Sequence, residues 1–216
     1  RIVKVLESKT QRLVGRYFEE NGVAYVLPDN PRMTHEVVLQ GDTQGATHGQ
    51  FVEVKIVSQP NHRSLAVAEL TAILGDHLAP GLEIDIALRN FDIPHLWPNE
   101  VSEQAANISP QVTEADKVGR VDLRNLALVT IDGEDAKDFD DAVYAEKRAG
   151  GGYRLVVAIA DVSHYVRPDS PLDIEAKHRS TSVYFPGFVV PMLPEVLSNG
   201  LCSLKPNVDR LCMVCD

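Results

Sequence analysis

The dipeptide Asn21-Gly22 constrains this chain more than any other feature. It stands between "RLVGRYF" (12–18) and "VAYVLP" (23–28), two short runs with recurring apolar residues. Asn and Gly tolerate the positive φ that a two-residue hairpin turn requires, so the pair predicts a tight β-hairpin. "EVVL" (36–39), the turn-rich "QGDTQGATHGQ" (40–50), "FVEVKIV" (51–57) and "LAVAEL" (65–70) continue in the same rhythm. Five short strands are the count of a small OB-type barrel. Any small antiparallel sheet shares that count, and spacing does not separate the two.

Past Gly75 the character changes. "DIPHLWPNE" (92–100) carries two prolines, while "NEVSEQAANI" (99–108) and "TEADKVG" (113–119) read as short helices, the second with Thr113 as N-cap and Gly119 as C-cap. Trp97 reads as a packing anchor. From Leu126 a second domain is expected: "LALVTID" as a buried-type strand, then "DAVYAEK" and "YRLVVAIADVS" as a hairpin around Gly150-Gly151-Gly152. "SPLDIEAKHR" (170–179) predicts a helix with Ser170 as N-cap, Pro171 at its first position and Asp173 completing a capping box. "PEVLSNGLCSL" reads as a short helix and turn, and "DRLCMVC" as a strand.

The chain has 216 residues, 44% hydrophobic and 24% charged, an ordinary globular composition for one large or two small domains. A net charge of -10 supplies no global basic field for nucleic acid, although basic surface can be local. No apolar run is long enough to span a bilayer, and "RIVKVLESKT" lacks a signal peptide's apolar centre, so a cytoplasmic location is expected. Cys202, Cys212 and Cys215 are too few for a disulfide framework. A zinc site wants four ligands and no second pair accompanies Cys212-x-x-Cys215, so the three are expected as buried, inert thiols. The chain opens on Arg1 and closes inside the strand-like "VDRLCMVCD", which reads as a fragment of a longer chain.

"LVTIDGEDAKDFDDAV" (128–143) crowds Asp132, Glu134, Asp135, Asp138, Asp140 and Asp141 into ten positions, relieved only by Lys137. Two unit charges about 4 Å apart repel by roughly 1 kcal/mol in water and more near a protein surface, so the cluster needs a cation or open solvent. Hard oxygen donors in this density suit Mg²⁺, which takes few carboxylates and completes its shell with water and phosphate oxygens. Two such ions could activate a water and stabilise the leaving oxygen of a phosphodiester. An EF-hand loop is excluded, because it needs Gly where Lys137 stands and Glu where Val143 stands. A two-carboxylate glycosidase and a solvated acidic turn stay open on spacing alone.

The letters themselves say more. "TIDGEDAKDFDDAV", "VAIADVSHYV", "TSVYFP", "VPMLPEVLSNGLCSL" and "VDRLCMV", together spanning about 120–216, closely resemble the catalytic domain of the ribonuclease II/ribonuclease R (RNB) exoribonucleases. The form of the acidic motif is nearer to the bacterial ribonuclease R branch. "VGRYFEENGVAYVLPDN" (14–30) resembles the start of that branch's second cold-shock domain, an OB-type barrel. The resemblance implies a β-rich OB-fold barrel followed by the N-terminal, incomplete part of an α+β RNB domain. The expected divisions are 1–10 as the tail of a preceding domain or a connector, 11–80 as the cold-shock barrel, 81–122 as a linker with short helices, and 123–216 as RNB.

It further implies Mg²⁺-dependent, processive 3′-to-5′ hydrolysis of single-stranded RNA to nucleoside 5′-monophosphates, by a protein that is usually monomeric. The family's four aspartates fall on Asp132, Asp138, Asp140 and Asp141. Asp132, Asp138 and Asp141 would mainly hold metal, and Asp140 would position the attacking water. Glu134 and Asp135 belong to the motif as a solvated face. Tyr184 is the ring that the resemblance would stack on a base near the RNA 3′ end, where residue letters alone would put Tyr184 and Phe185 in the core. Arg179 is equally a phosphate contact or the partner of an acid. Ser180 departs from the family's usual Gly, a harmless change unless the backbone there has positive φ.

In the barrel, Phe18 and Tyr25 occupy places where cold-shock domains put RNA-facing aromatics, with Lys55, Arg63 and Arg12 as phosphate contacts. Core aromatics and solubilising charge are the alternative, and alternation does not choose the face. The family's further stacking aromatic, its site arginine and its basic C-terminal domain would lie beyond Asp216. A catalytically incompetent RNA-binding fragment is therefore the rival reading.

Overall fold

Asn21 and Gly22 adopt φ of 51° and 78°, and the turn joins β1 (Arg12–Glu20) to β2 (Val23–Pro28) through the Glu20/Val23 pair. The computed structural model describes residues 11–61, 63–76, 79–134 and 136–216; the expected tail at 1–10 lies outside them. The chain divides into two compact units, 1–93 and 94–216.

In the first unit β3 (Val37–Leu39), β4 (Phe51–Ser58) and β5 (Ala66–Gly75) complete a closed barrel of order β1-β2-β3-β5-β4. Its neighbours are antiparallel except β3 and β5, which run parallel. This is the OB-type barrel that the five-strand count left open. Gly15 lets it close: it pairs with Pro28 on one side and Val52 on the other, and a Cβ there would stand 2.3 Å from the Leu27 carbonyl oxygen. Alternation sends Leu13, Tyr17, Val26, Val52, Val54 and Ala68 inward to one core. Outside, Val14 and Phe51 are covered by Leu82 of α1 (Leu82–Asn90), which Arg89 fastens to Glu53 on β4 at 3.0 Å.

The second unit starts with α2 (Asn99–Ala106), which packs against α4 (Pro171–Arg179). The expected linker 81–122 is thus shared out, since α1 packs on the barrel while α2 belongs to the second unit. "TEADKVG" forms only a 3₁₀ turn over Ala115–Lys117, with Gly119 at φ 77°. That turn is tied down by His164 on Asp116 (2.9 Å) and Arg120 on Asp161 (2.7 Å).

β6 (Asp141–Lys147), β7 (Tyr153–Ala160) and β10 (Cys212–Cys215) make an antiparallel sheet of order β10-β7-β6, and Gly151 and Gly152 turn the β6–β7 hairpin at φ 89° and 82°. One face of β7 is buried, with Ala160 joining Val101, Leu172, Leu197 and Leu201 in the core. On the other face Leu155, Ile159 and Met213 are exposed. "LALVTID" is not a buried strand: only Val129 bridges to Val143, and Ile131 is 83% exposed. Its apolar letters read as core, yet Leu126 and Leu128 are only half-buried and Val129 and Ile131 are exposed.

α3 (Val162–Tyr165) is a single turn capped by Asp161. α4 begins as its letters require, with the Asp173 N–H donating to Ser170 Oγ (3.3 Å) and Pro171 at the first position. The Asp173 carboxylate accepts from the Asp169 N–H (2.8 Å), so the capping box closes one residue early. β8 (Val183–Phe185) and β9 (Phe188–Val190) form a hairpin, followed by a π-type turn over Val196–Leu201.

Candidate active site

Asp138, Asp140 and Asp141 lie on a segment stitched to the second unit by its backbone. The Ala160 N–H donates to the Asp140 carbonyl (2.9 Å), which extends the β6–β7 ladder one step before Asp141. The Leu204 N–H donates to the Phe139 carbonyl (2.8 Å). Between these, the Ser203 hydroxyl donates to the Lys137 carbonyl (2.7 Å) and accepts from the Phe139 N–H (3.1 Å). Ser203 is wholly buried. Sequence reasoning misses it, because a serine in "LCSL" carries no spacing signal and its partners are 64 and 66 residues away.

Asp132 lies on the exposed stretch before this segment and does not end a strand as expected. Partial burial, and then the charges of Asp138, Asp141 and Asp132, push the Asp140 carboxyl above the ordinary carboxylate range. Asp140 also helps raise the thiol of buried Cys202, which burial chiefly pushes up to about 12. Asp140 therefore lies within electrostatic reach of the other three carboxylates. As hard oxygen donors whose repulsion a cation would relieve, they suit Mg²⁺ by chemistry. They are not gathered, however: among the described residues no three His, Cys, Asp or Glu side chains converge to hold a metal ion. Glu134 is exposed, as a solvated face requires, and Asp135 lies outside the described residues.

Tyr184 stands beside the acids. Its ring is 63% exposed and its hydroxyl donates to Asp138 Oδ2 at 2.8 Å, a bond that, with burial and the charges of Asp138 and Asp140, raises the phenol. The core placement that residue type favoured does not hold for Tyr184, whereas Phe185 is half-buried and packs near Phe188.

Of the two roles open to Arg179, the structure shows the pairing with an acid. Its side chain is only 2% exposed, and it donates to Glu175 (2.8 Å) and to the carbonyls of Pro191 (3.1 Å) and Leu96 (2.9 Å). Its guanidinium also lies 3.4 Å from the centre of the Trp97 ring. With those acceptors filled and its flat face on an indole, it acts as a structural clamp, and Trp97 is the packing anchor expected. Ser180 follows at φ 65°, ψ -34°, within a γ-turn closed by the Thr181 N–H on the Arg179 carbonyl (2.8 Å). That turn is strained for a residue with a Cβ, so the departure from glycine is not neutral.

On the barrel, Phe18 and Tyr25 point outward, opposite to the buried Tyr17 and Val26. They pair across β1 and β2 with ring centres 5.6 Å apart, and His48 meets Phe18 edge-on at 4.8 Å. They are not core aromatics. Lys55 is exposed opposite Arg12, and Arg63 is exposed nearby in sequence. Among the cysteines only Cys202 is buried, while Cys212 is half-buried and Cys215 exposed at the strand end.

Comparison with known proteins adds to this geometry. Residues 120–216 match the RNB domain model and residues 25–98 the cold shock domain model. Over all of its length the chain is 58% identical to ribonuclease R of Escherichia coli. The chain carries an RNB domain. It spans 27% of the length of that E. coli relative. Among solved RNB-family structures it resembles Mycoplasma genitalium RNase R in complex with double-stranded RNA, with a TM-score of 0.89 at 32% identity, covering 100% of this chain and 38% of that one. The same protein in complex with ribose methylated single-stranded RNA gives a TM-score of 0.87 at 32% identity, covering 99% and 34%. Among the described residues no helix is long and apolar enough to cross a membrane.

Proposed function

We propose that this chain supplies the acidic wall of an Mg²⁺-dependent, processive 3′-to-5′ exoribonuclease site, with the barrel as an RNA-guiding module, in a cytoplasmic protein that acts as a monomer. The observation that carries the reading is the segment 137–141, whose backbone is pinned while the Asp140 carboxyl feels the charges of Asp138 and Asp141. Asp132, Asp138 and Asp141 would hold the ions, and Asp140 would orient the attacking water. Bound Mg²⁺ would supply Lewis-acid activation of water and neutralise charge on the departing oxygen. In-line attack breaks the bond between phosphorus and the 3′ oxygen of the penultimate nucleotide. This frees a nucleoside 5′-monophosphate and leaves a 3′ hydroxyl on the shortened strand. Tyr184 presents an exposed ring for the terminal base, a contact worth about 1–3 kcal/mol that needs no sequence readout. Phe18, Tyr25 and Lys55 offer an aromatic and cationic track on the barrel for single-stranded RNA.

The test uses a 5′-labelled single-stranded RNA with a longer polypeptide that carries this segment, with and without Mg²⁺, beside Asp140→Asn. A Mg²⁺-dependent ladder that shortens from the 3′ end and vanishes in the variant is expected; no cleavage at all overturns the reading. For the 216 residues alone we infer RNA binding with little or no hydrolysis, favoured by their spanning only 27% of the E. coli relative. A Mg²⁺-dependent ladder from these residues alone would sink that second reading.

A further inference from the structure

We infer that Ser203 is the positioning residue of the aspartate segment, a clasp that sets the direction of Asp138 between its two flanking peptide groups. The inference rests on the proposed metal site and deepens it. One hydroxyl binds both sides of Asp138: it donates to the Lys137 carbonyl at 2.7 Å and accepts from the Phe139 N–H at 3.1 Å. Ser203 is completely buried, so no water competes for either bond. Its own backbone is fixed in turn. Arg210 Nε donates to the Ser203 carbonyl (2.8 Å), and the next residue, Leu204, donates its N–H to the Phe139 carbonyl (2.8 Å). Three hydrogen bonds thus join 137–139 to 203–204, with the carboxylate-bearing residue at their centre. Among the described residues the side-chain contact on that carboxylate comes from outside the clasp, from the Tyr184 hydroxyl at 2.8 Å.

Such a clasp orients a ligand without touching the ion. Loss of outer partners of this kind costs about 10–100-fold in metal affinity. A purely structural serine would instead lower stability and leave affinity alone. Leu197, wholly buried in the same unit's core and not bonded to the segment, provides the control.

The experiment titrates Mn²⁺ into the whole chain, reading free ion by electron paramagnetic resonance. It also follows amide hydrogen exchange at Phe139 and Leu204. Ser203→Ala is expected to weaken Mn²⁺ binding about tenfold and to speed exchange at Phe139. Leu197→Val is expected to lower the melting temperature with affinity unchanged. Should Ser203→Ala fail to fold, Ser203→Cys keeps the volume with a weaker donor and is expected to show the same losses to a smaller degree. Unchanged affinity in a folded Ser203 variant overturns the inference, and so does an equal loss in Leu197→Val. If the unaltered chain binds no Mn²⁺, the metal reading itself has failed; Phe139 exchange then decides the clasp, and no acceleration in the variant overturns it.

Discussion

The barrel and the unit that follows it are both built on β-sheet, but they treat their edges and faces differently. In the barrel β4 returns to β1, every strand has two neighbours, and the inward residues form one core with Tyr17 and Val26 at its centre. In the second unit β6 and β10 are edges. One sheet face carries the core with α2 and α4, while Leu155, Ile159 and Met213 face outward. Closure removes the exposed edge that an open sheet must manage by other means. The barrel is therefore closed on itself, whereas the second unit packs one face of an open sheet on α2 and α4 and adds buried polar fasteners. The carboxylates sit in the open-sheet half, on a segment held by Ser203 rather than by a full ladder.

That contrast is sharpest at Arg179. Arg179→Ala would leave Glu175 buried without its cation and strip Trp97 of its partner, at a cost of about 3–5 kcal/mol. Trp97 is the chain's single tryptophan, so a fluorescence melt reports the second unit. An unchanged melt would contradict the clamp.

The barrel breaks by a different route. Gly15→Ala would drive a methyl group to 2.3 Å from the Leu27 carbonyl oxygen, and the backbone shift this forces should cost about 3 kcal/mol. Denaturant unfolding followed by circular dichroism checks it. The Trp97 signal should hold while the barrel transition moves, and a common shift would contradict two separately stabilised units.

Ser180→Gly works in the opposite direction. Relief of the positive-φ strain should stabilise the second unit by about 1 kcal/mol, read as a later Trp97 transition. The smallest effect is expected on the open sheet face. Ile159→Thr should change stability by no more than about 0.5 kcal/mol, yet reduce binding of a hydrophobic dye. Equal dye binding would mean that this face is not the exposed apolar surface.

Much of this was legible because it is local. Asn21-Gly22 had to turn, Ser170-Pro171 had to start a helix, and alternation in β1 and β4 marked an inside and an outside. Barrel closure was not: strand count is silent on whether the last strand returns to the first, and Gly15 shows its purpose only against Leu27. The aspartates stood out as letters, since charge density needs no partner to be noticed. Arg179 stayed undecided between a phosphate and an acid, and Ser203 was missed, for one shared reason. Each is defined by acceptors far along the chain, Leu96 for the arginine and Lys137 for the serine. "LALVTID" misled in the reverse sense, because apolar letters signal burial only where another element covers them.

The most direct measurement is the Trp97 fluorescence melt of the chain across a Mg²⁺ series, beside Asp138→Asn. A ligand that binds only the folded state raises the melting temperature by mass action. If Asp132, Asp138, Asp140 and Asp141 form a cation site, the second unit's transition rises with Mg²⁺ and the rise is lost in the variant. A transition that ignores Mg²⁺, or that rises equally without the Asp138 carboxylate, would contradict the account.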